Sequence, residues 1–257
     1  MTLLESHAAA ELQKLAQAAD RFGPEMVAYL SYHRPRLLFL TTLLDSLIAS
    51  RRQDAGSRPV TLLDIGPSFE TQLIPALWPE VRLDTMGMYD QRFPNSPGGR
   101  HIELDLNNLY FPEQRPKVEP YSIIILAEVI EHLYTAPSQI LDYLASCLQP
   151  GGYLIVQTPN AVTLPNRLKM LLGRNPFEMI RETRADPGHY REYTRRELIN
   201  LGEAHGLATA RTFMSNYSFS GTAASRAWRW LSQFLPGDLR KCITIVYRRE
   251  ASSETQQ

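Results

Sequence analysis

The clearest pattern in the chain is a pair of short apolar runs, rich in β-branched residues, on either side of a segment with helical apolar spacing. The runs cover residues 122–126 and 153–158, and Pro150, Gly151 and Gly152 supply a turn before the second run. A short β-branched run bounded by turn residues predicts a strand that is buried on both faces. Two such strands joined by a helical crossover form a βαβ unit, which predicts a parallel sheet.

Further elements of both kinds are predicted along the rest of the chain. Apolar runs predict five more strands, at residues 60–66, 81–88, 101–105, 207–213 and 242–247. Apolar residues at helical spacing predict helices at residues 3–19, 36–50, 69–77, 164–172 and 195–205. Thr194 and Glu197 have the spacing of a capping box at the start of the last helix. Alternating strands and helices predict an α/β fold with a doubly wound, seven-stranded, mostly parallel sheet.

The elements divide the chain into a helical N-terminal part and one large sheet domain. Residues 1–55 are predicted to form a helical cap, residues 56–250 the sheet domain, and residues 251–257 a disordered tail. Two segments within the sheet domain, at about residues 161–193 and 215–240, are longer than plain connections require. Such segments are often lids or substrate loops.

Both insertions contain residues that suggest contact with an acceptor. The first has a basic bias, which comes from Arg167, Lys169, Arg174, Arg181, Arg184 and Arg191. A phosphorylated or carboxylated acceptor would use these cations, and a solvated lid face is the alternative explanation. The aromatic residues of the second insertion either line an acceptor pocket or pack internally; they are Trp228, Trp230 and Phe234.

Composition narrows the class of protein further. The 257 residues are 44% hydrophobic, which is enough for one α/β domain with additions. The 27 basic and 27 acidic residues cancel, so no global field attracts nucleic acid or an anionic membrane, although a local basic patch is compatible with this balance. The sequence has no signal-peptide pattern and no apolar run of the roughly 18 residues that a membrane span needs. Cys147 and Cys242 lie far apart in apolar contexts, which predicts free buried thiols in the cytoplasm.

Acidic residues follow successive strands of the predicted sheet. Asp64 ends the first strand, Asp90 follows the second, and Asp105 follows the third, whereas Asp84 comes too early in its strand. Ligands of open parallel sheets bind beyond the carboxyl ends of the strands. These acids therefore form a candidate binding edge, although each alone is also explained as a solvated strand terminus.

Several motifs together resemble a known family. They are Asp64-Ile65-Gly66, the segment from Ala127 to Leu133, residues 148–153, Thr158-Pro159-Asn160 and residues 188–194. In order and spacing these pieces resemble the class I S-adenosylmethionine-dependent methyltransferases, specifically the ubiquinone-type branch with methyltransferase types 11 and 23. The resemblance runs from about residue 60 to residue 213. It implies a Rossmann-like methyltransferase fold and S-adenosyl-L-methionine as the cofactor.

The resemblance also implies which residues hold the cofactor. Asp64 and Gly66 would form the turn that binds the cofactor, and Asp90 would accept hydrogen bonds from the ribose hydroxyls. Asp105 and Leu106 would contact the adenine. The backbone at Ala127 and Glu128 would pass beside the methionine portion.

The turn departs from the family pattern at two positions. Ser68 and Glu70 stand where further glycines are expected. This departure leaves open a degenerate relative that has lost catalysis.

A candidate catalytic group follows the fourth strand. Glu128, Glu131 and His132 are spaced i, i+3 and i+4, which in a helix at about 100° per residue puts them on one face. With His189 they would offer ligands for Mg²⁺, Mn²⁺ or Zn²⁺, a set that resembles relatives acting on RNA 2′-hydroxyls and quinones. Two alternatives remain open: His132 or His189 acts as a metal-free general base, or Glu131 and His132 pair with each other or with Arg191 and only shape the cleft.

The function that the sequence predicts is transfer of a methyl group from S-adenosylmethionine to a small-molecule acceptor, at a hydroxyl oxygen. Glu131, His132 and His189 would face that acceptor as the catalytic residues. The alternatives are a metal-assisted RNA 2′-O-methyltransferase, which zero net charge disfavours, and a non-catalytic protein with the methyltransferase fold. The acceptor and the oligomeric state are not encoded in any recognisable motif.

Overall fold

The structure is a computed structural model, and it describes residues 2–19, 22–55, 59–96, 98–183, 187–217, 230 and 232–250. Trp228, Arg184 and the predicted tail at residues 251–257 lie outside these residues. Among the described residues, no helix combines the length and the apolar character needed to cross a bilayer.

Seven strands form a mostly parallel sheet, as the sequence predicted. In chain order they are β1 Thr61–Ile65, β2 Arg82–Gly87, β3 His101–Glu103, β4 Tyr121–Ala127, β5 Leu148–Pro159, β6 Leu207–Ser215 and β7 Cys242–Arg249. Each predicted strand is present, with ends that shift by a few residues. The predicted α/β class, a Rossmann-like sheet with flanking helices and N-terminal helices before it, is confirmed.

Six α-helices accompany the strands in the part of the chain that the structure describes. They are α1 Leu3–Ala19, α2 Pro24–Ala55, α3 Phe69–Leu77, α4 Pro137–Ser146, α5 Leu164–Leu171 and α6 Arg195–Glu203. The capping box of α6 is confirmed, since Thr194 Oγ1 accepts from the Glu197 N–H at 3.2 Å and a Glu197 oxygen accepts from the Thr194 N–H at 2.9 Å.

Helix α2 is much longer than the predicted segment at residues 36–50. It begins at Pro24, directly after Gly23, because a proline at the first helical position lacks only an N–H that would have no partner within the helix. It also continues through Pro35, where the sequence predicted a helix boundary nearby. The apolar face beyond Pro35 was correctly identified, but the earlier turns were missed.

The described residues fall into two compact units. The first contains the chain up to Leu104 together with Tyr217, and so includes α1 to α3 and β1 to β3. Its three strands are all parallel and lie in the order β3-β2-β1. Its helices pack through a cluster of buried side chains that includes Leu12, Leu30, Leu37, Phe69 and Phe93.

The second unit contains Asp105–Asn216 and the described residues from Trp230 onward. Its strands lie in the order β4-β5-β7-β6, with β5 parallel to β4 and with β7 antiparallel to both of its neighbours. The centre of β4, residues 123–126, is fully buried, as the β-branched run predicted. Cys147 and Cys242 are both buried and free, which confirms that they form no disulfide. The predicted boundary between a cap at residues 1–55 and a sheet domain stays a prediction.

Candidate active site

The turn after β1 has the backbone geometry that its predicted cofactor role needs. Gly66 has φ 75°, in the left-handed region, and its N–H donates to the carbonyl of Met86 at 2.8 Å. Gly87, at the tip of β2, lies against it, and a Cβ added there would stand 3.3 Å from the Gly66 nitrogen. The tips of β1 and β2 approach this closely because Gly87 has no Cβ, and the left-handed φ of Gly66 also suits a glycine.

Asp64 lies fully buried just before this turn. Its Oδ2 accepts a hydrogen bond from Thr71 Oγ1 at 2.5 Å, while its Oδ1 has no hydrogen-bond partner among the described residues. Burial, with the charge of nearby Glu70 as the second cause, raises the pKa of Asp64 well above its ordinary value. The Asp64 carboxyl therefore holds its proton more tightly than an ordinary aspartate does.

Glu70 occupies one of the positions where the family pattern has glycine, and the structure shows what replaces the glycine. Its carboxylate is 2% exposed and faces the guanidinium of Arg36, which is 3% exposed. The two atom pairs of this contact measure 3.4 and 3.5 Å. Ser68 caps α3, with its N–H donating to Thr71 Oγ1 at 3.0 Å. Both replacements thus form parts of a helix start that is tied to α2.

His33, a half-buried residue of α2, lies close enough to Arg36 to feel its charge. Burial, together with the Arg36 cation, lowers the pKa of His33 to about 3, so its ring is neutral. Neither His33 nor Arg36 belongs to a motif that points to a site. The available signal was an arginine on the apolar face of α2, since Arg36 is spaced i, i+4 and i+8 with Leu40 and Leu44.

The acids near β2 have different environments. Asp84 is 1% exposed and binds Arg82 at 2.9 Å and Arg100 at 3.1 Å, so it is a structural anion within the strand. Asp90 lies beyond the strand and binds Arg92, with the Nη2–Oδ2 pair at 2.6 Å. Burial acts to raise the pKa of Asp90, but hydrogen bonds and charge from Arg92 outweigh it and lower that pKa. Asp90 is therefore the ionised acid at this end of the first unit.

Two predicted cofactor residues open the second unit. Asp105 caps a short 3₁₀ helix, Leu106–Tyr110, and its Oδ1 accepts from both the N–H and the side-chain amide of Asn107 at 3.0 Å. Leu106 is buried. Asp105 is thus rigidly oriented by its own turn, which holds its carboxylate in one place.

The backbone at the end of β4 is not helical at Glu128, although the sequence predicted a helical face there. Ala127 is the last residue of β4, and Glu128 has φ 57°, the one described residue other than glycine with a positive φ. The helical turn begins only later, as a 3₁₀ helix at Ile130–His132. Glu128 therefore does not share a helical face with Glu131 and His132. The interpretation was wrong because the chain bends sharply after the strand, with the Glu128 N–H donating to the carbonyl of Gln157 at 2.8 Å.

Glu131, His132 and His189 do come together. One potential ligand atom from each residue lies within 4.8 Å of the others, and the two imidazole centroids are 4.8 Å apart. Among the described residues this group does not include Glu128. The last part of the first insertion is fixed to the 3₁₀ helix by its backbone, since the Tyr190 N–H donates to the Glu131 carbonyl at 2.8 Å. This contact is what brings His189 to a site 57 residues away in sequence from His132.

The hydrogen bonds of the histidines determine which nitrogen carries the proton. His132 Nδ1 lies 2.9 Å from the carbonyl oxygen of Gly188, and His189 Nδ1 lies 3.1 Å from a carboxylate oxygen of Glu192. Both partners only accept hydrogen bonds, so each Nδ1 is the donor. In the neutral rings the lone pair is then on Nε2, the atom that a base or a metal ligand uses.

Glu192 is a site residue that the motif analysis missed. Its hydrogen bond is the largest cause that raises the pKa of His189, against burial, and the charge of Glu128 also contributes. The signal available in the sequence was only the i, i+3 spacing of a histidine and a glutamate. Glu131 has a separate partner, because Thr158 Oγ1 donates to its Oε2 at 2.9 Å and both side chains are fully buried.

Comparisons with known proteins agree with this fold. A candidate sarcosine dimethylglycine methyltransferase from Galdieria sulphuraria matches with a TM-score of 0.51 and 15% identity, over 83% of this chain and 88% of its own. A 1,6-didemethyltoxoflavin-N1-methyltransferase from Burkholderia thailandensis, solved with S-adenosylhomocysteine, matches with a TM-score of 0.52 and 13% identity, over 97% and 92%. At these identities the likeness concerns the fold.

The family itself is shown by the sequence. A search of curated proteins gives no significant match. The model of a family described as a methyltransferase domain matches residues 29–211, which is most of the chain. The match includes β1 to β5, the turn at Gly66 and the group of Glu131, His132 and His189. The chain therefore belongs to this methyltransferase family, within the class I S-adenosylmethionine-dependent methyltransferases.

Proposed function

We propose that this methyltransferase acts on a small-molecule acceptor and methylates a hydroxyl oxygen. The observation that carries the proposal is the pairing of His132 and His189. Two imidazoles lie together, each with its Nδ1 proton held by an acceptor, beside the buried carboxylate of Glu131. An acceptor hydroxyl needs a base that takes its proton as the oxygen attacks the methyl group. A neutral amine attacks with its free lone pair and loses a proton only after the transfer. A pair of histidines therefore favours a hydroxyl oxygen as the methylated atom.

The residues of the chain would act by orientation and proton transfer. S-adenosylmethionine, when bound, supplies a methyl group that is already activated on a sulfonium. His189 would accept the hydroxyl proton at Nε2, and Glu192 would stabilise the resulting imidazolium at Nδ1. His132 would hold the acceptor oxygen by a second hydrogen bond. Positioning accounts for the rest of the rate increase, because an aligned bimolecular reaction avoids a large entropic cost.

The cofactor residues are proposed in both units. In the first unit we assign Asp64, Gly66 and Asp90, on the basis of the positive φ at Gly66, the unpartnered Oδ1 of Asp64 and the ionised Asp90. A buried polar atom without a partner is costly, and a ligand group that hydrogen-bonds to it removes that cost. In the second unit we assign Asp105 and Leu106 at the adenine, with Ala127 and Glu128 beside the methionine portion.

A divalent metal is a second candidate at the same site. Glu131, His132 and His189 together offer one carboxylate and two imidazoles within ligand distance of one another, a donor set that suits Zn²⁺ or Mn²⁺ more than Mg²⁺. Partners on both Nδ1 atoms are also typical of histidines that bind metals. These residues would hold the ion, and the ion would lower the pKa of a bound hydroxyl.

Calorimetry and a methyl-transfer assay test these assignments separately. S-adenosylhomocysteine should release or absorb heat on binding the full chain, and Gly66→Val should abolish that signal because valine does not adopt φ 75°. Absence of heat with the unchanged chain would support the degenerate alternative and overturn the enzyme.

The second arm measures transfer of a labelled methyl group to a panel of small phenols and aliphatic alcohols. His189→Ala should lower kcat by about 10²–10⁴-fold while the dissociation constant of S-adenosylhomocysteine stays the same. Activity that is unchanged after chelation would exclude the metal. Small amines are assayed beside this panel, and transfer to the amines but to none of the hydroxyl compounds would overturn the proposed acceptor class.

A further inference from the structure

The first insertion has a fixed base and an exposed tip. It leaves β5 at Asn160 and returns at Tyr193, where these two residues form a bridge and the Ala161 N–H donates to the Tyr193 carbonyl at 2.9 Å. Helix α5 starts from a cap on Thr163, whose side chain accepts from the Asn166 N–H at 3.2 Å. The insertion is thus a loop held at its base by the Asn160–Tyr193 bridge and again at the 3₁₀ helix, where the Tyr190 N–H donates to the Glu131 carbonyl.

The tip of this loop exposes a run of large apolar side chains. In residues 167–183, which we call the apolar tip, every residue is exposed except the half-buried Pro176. Leu171 and Met179 are 84% and 85% exposed. The other large apolar residues exposed there are Leu168, Met170, Leu172, Phe177 and Ile180. Single exposed apolar residues are ordinary, but a contiguous set marks an interaction surface.

The apolar residues are arranged as an amphipathic element. Leu164, Leu168 and Leu171 are spaced i, i+4 and i+7, so they lie on one face of α5, while Lys169 lies on another. Gly173 and the residues after it then extend the apolar surface beyond the helix. The element is too short to span a bilayer, but its pattern is that of helices that lie within the interface.

The charges of the apolar tip differ from those of the whole chain. The tip contains four basic residues, Arg167, Lys169, Arg174 and Arg181, and two acidic residues, Glu178 and Glu182, for a net charge of +2. The whole chain has 27 of each and a net charge of zero. Positive charge is therefore concentrated where apolar side chains are exposed. Such a combination complements an anionic lipid surface, which attracts basic residues near its headgroups.

We propose that the apolar tip docks on an anionic lipid bilayer, with its leucine and methionine side chains at the boundary of headgroups and acyl chains. A second copy of the chain fits less well, since two tips of net charge +2 would face each other across an interface. The proposal concerns a surface outside the histidine pair and does not depend on methyl transfer.

Vesicle sedimentation with the full chain tests whether the apolar side chains of the apolar tip contribute to lipid binding. The probes are vesicles of phosphatidylcholine mixed with phosphatidylserine and vesicles of phosphatidylcholine alone. The chain should sediment with the mixed vesicles, and Leu168→Ser/Leu171→Ser/Met179→Ser should reduce binding at least about tenfold. The control Tyr110→Ser/Phe111→Ser removes two exposed aromatic residues of the same unit, at 62% and 44% exposure, and should bind like the unchanged chain.

Two further variants test the contribution of the positive charge of the apolar tip. Lys169→Gln and Arg174→Gln should each weaken binding to the mixed vesicles about fivefold, and added salt should have the same direction of effect. Equal binding by the triple serine variant, or sedimentation with neither vesicle, would overturn the proposal. A dimer in velocity sedimentation that the triple variant converts to a monomer, without vesicle binding, would instead assign the surface to self-association.

Discussion

Arg36 and Glu70 form a buried ion pair between the second helix and the start of the third, and Glu70 stands where the sequence resemblance led us to expect a glycine. Arg36 Nη1 lies 3.4 Å from Glu70 Oε1, and both side chains are almost completely buried. The pair lies beside the buried carboxyl of Asp64, and after burial itself the charge of Glu70 is the second cause that raises the pKa of that carboxyl. Helix α2 therefore stabilises the start of α3 through this ion pair, a contact that a glycine at residue 70 would not make.

Loss of Arg36 should destabilise the fold strongly. Arg36→Met leaves the Glu70 carboxylate buried without this cation and next to Asp64, and removal of one partner of a buried pair costs about 3–5 kcal/mol. Urea unfolding of the two proteins gives the difference in the free energy of unfolding. The double variant Arg36→Met/Glu70→Met removes both charges and should recover most of the loss; a double variant as unstable as the single one would contradict the explanation.

Asp64→Asn should change the pH dependence of stability. The folded chain retains the Asp64 proton to higher pH than the unfolded chain, so stability falls as pH rises from the ordinary value of 3.8 towards the raised folded-state pKa. The slope has a limit of ~1.4 kcal/mol per pH unit. Asparagine does not titrate, so the variant should gain stability relative to the unchanged chain as the pH rises above 3.8 towards the folded-state pKa of Asp64. Asp142→Asn, at an exposed position, should not show this gain.

Gly87→Ala should affect both stability and cofactor binding. Gly87 has φ 141°, and a Cβ would approach the Gly66 nitrogen at 3.3 Å, so the substitution strains the backbone and displaces the turn at Gly66 that we assign to the cofactor. We expect a loss of about 1–3 kcal/mol in unfolding free energy and weaker binding of S-adenosylhomocysteine by calorimetry. Gly173→Ala is the matched control, because Gly173 has φ 69° with open space around it. If Gly173→Ala weakened S-adenosylhomocysteine binding as much as Gly87→Ala, backbone strain alone, and not the contact with Gly66, would explain the weaker binding.

Glu192→Gln should lower the pKa of His189. The hydrogen bond from Glu192 is the main cause of the raised pKa, so its loss lets the ring deprotonate at lower pH. Nuclear magnetic resonance titration of the His189 ring measures this change directly. If neutral His189 is the base, the acidic limb of the kcat profile should move to lower pH in the variant. Glu178→Gln removes a weaker and more exposed charge and should move the pKa less.

The same raised pKa has a consequence for stability. Protonated His189 gains its partner only in the folded chain, so its contribution is complete below the ordinary pKa of 6.5 and is lost as pH rises through the folded-state value. The unchanged chain should therefore lose stability over this interval relative to Glu192→Gln. A constant difference between the two proteins in urea unfolding at each pH would contradict the assignment.

Local patterns predicted most elements because their causes are local. The β-branched run of β4, the capping box of Thr194 and Glu197, and the apolar spacing of α3 each depend on residues that are close in sequence. The predicted helical face that joined Glu128 to Glu131 and His132 was wrong because its cause is not local. The spacing of Glu128 from Glu131 suited a helix, but the backbone turns with φ 57° at the end of β4 and forms a bond to Gln157 from another strand.

By itself, the sequence determined the α/β class, the order of the strands along the chain, the family, and the residue types at the site, because periodicity and motifs are properties of neighbouring positions. Only the tertiary structure decided that His189 meets His132, that Glu192 holds its Nδ1 proton, and that Arg36 neutralises Glu70. These contacts join distant or differently oriented side chains. They depend on packing and burial, which set the strength of each charge and hydrogen bond and which no short stretch of sequence encodes.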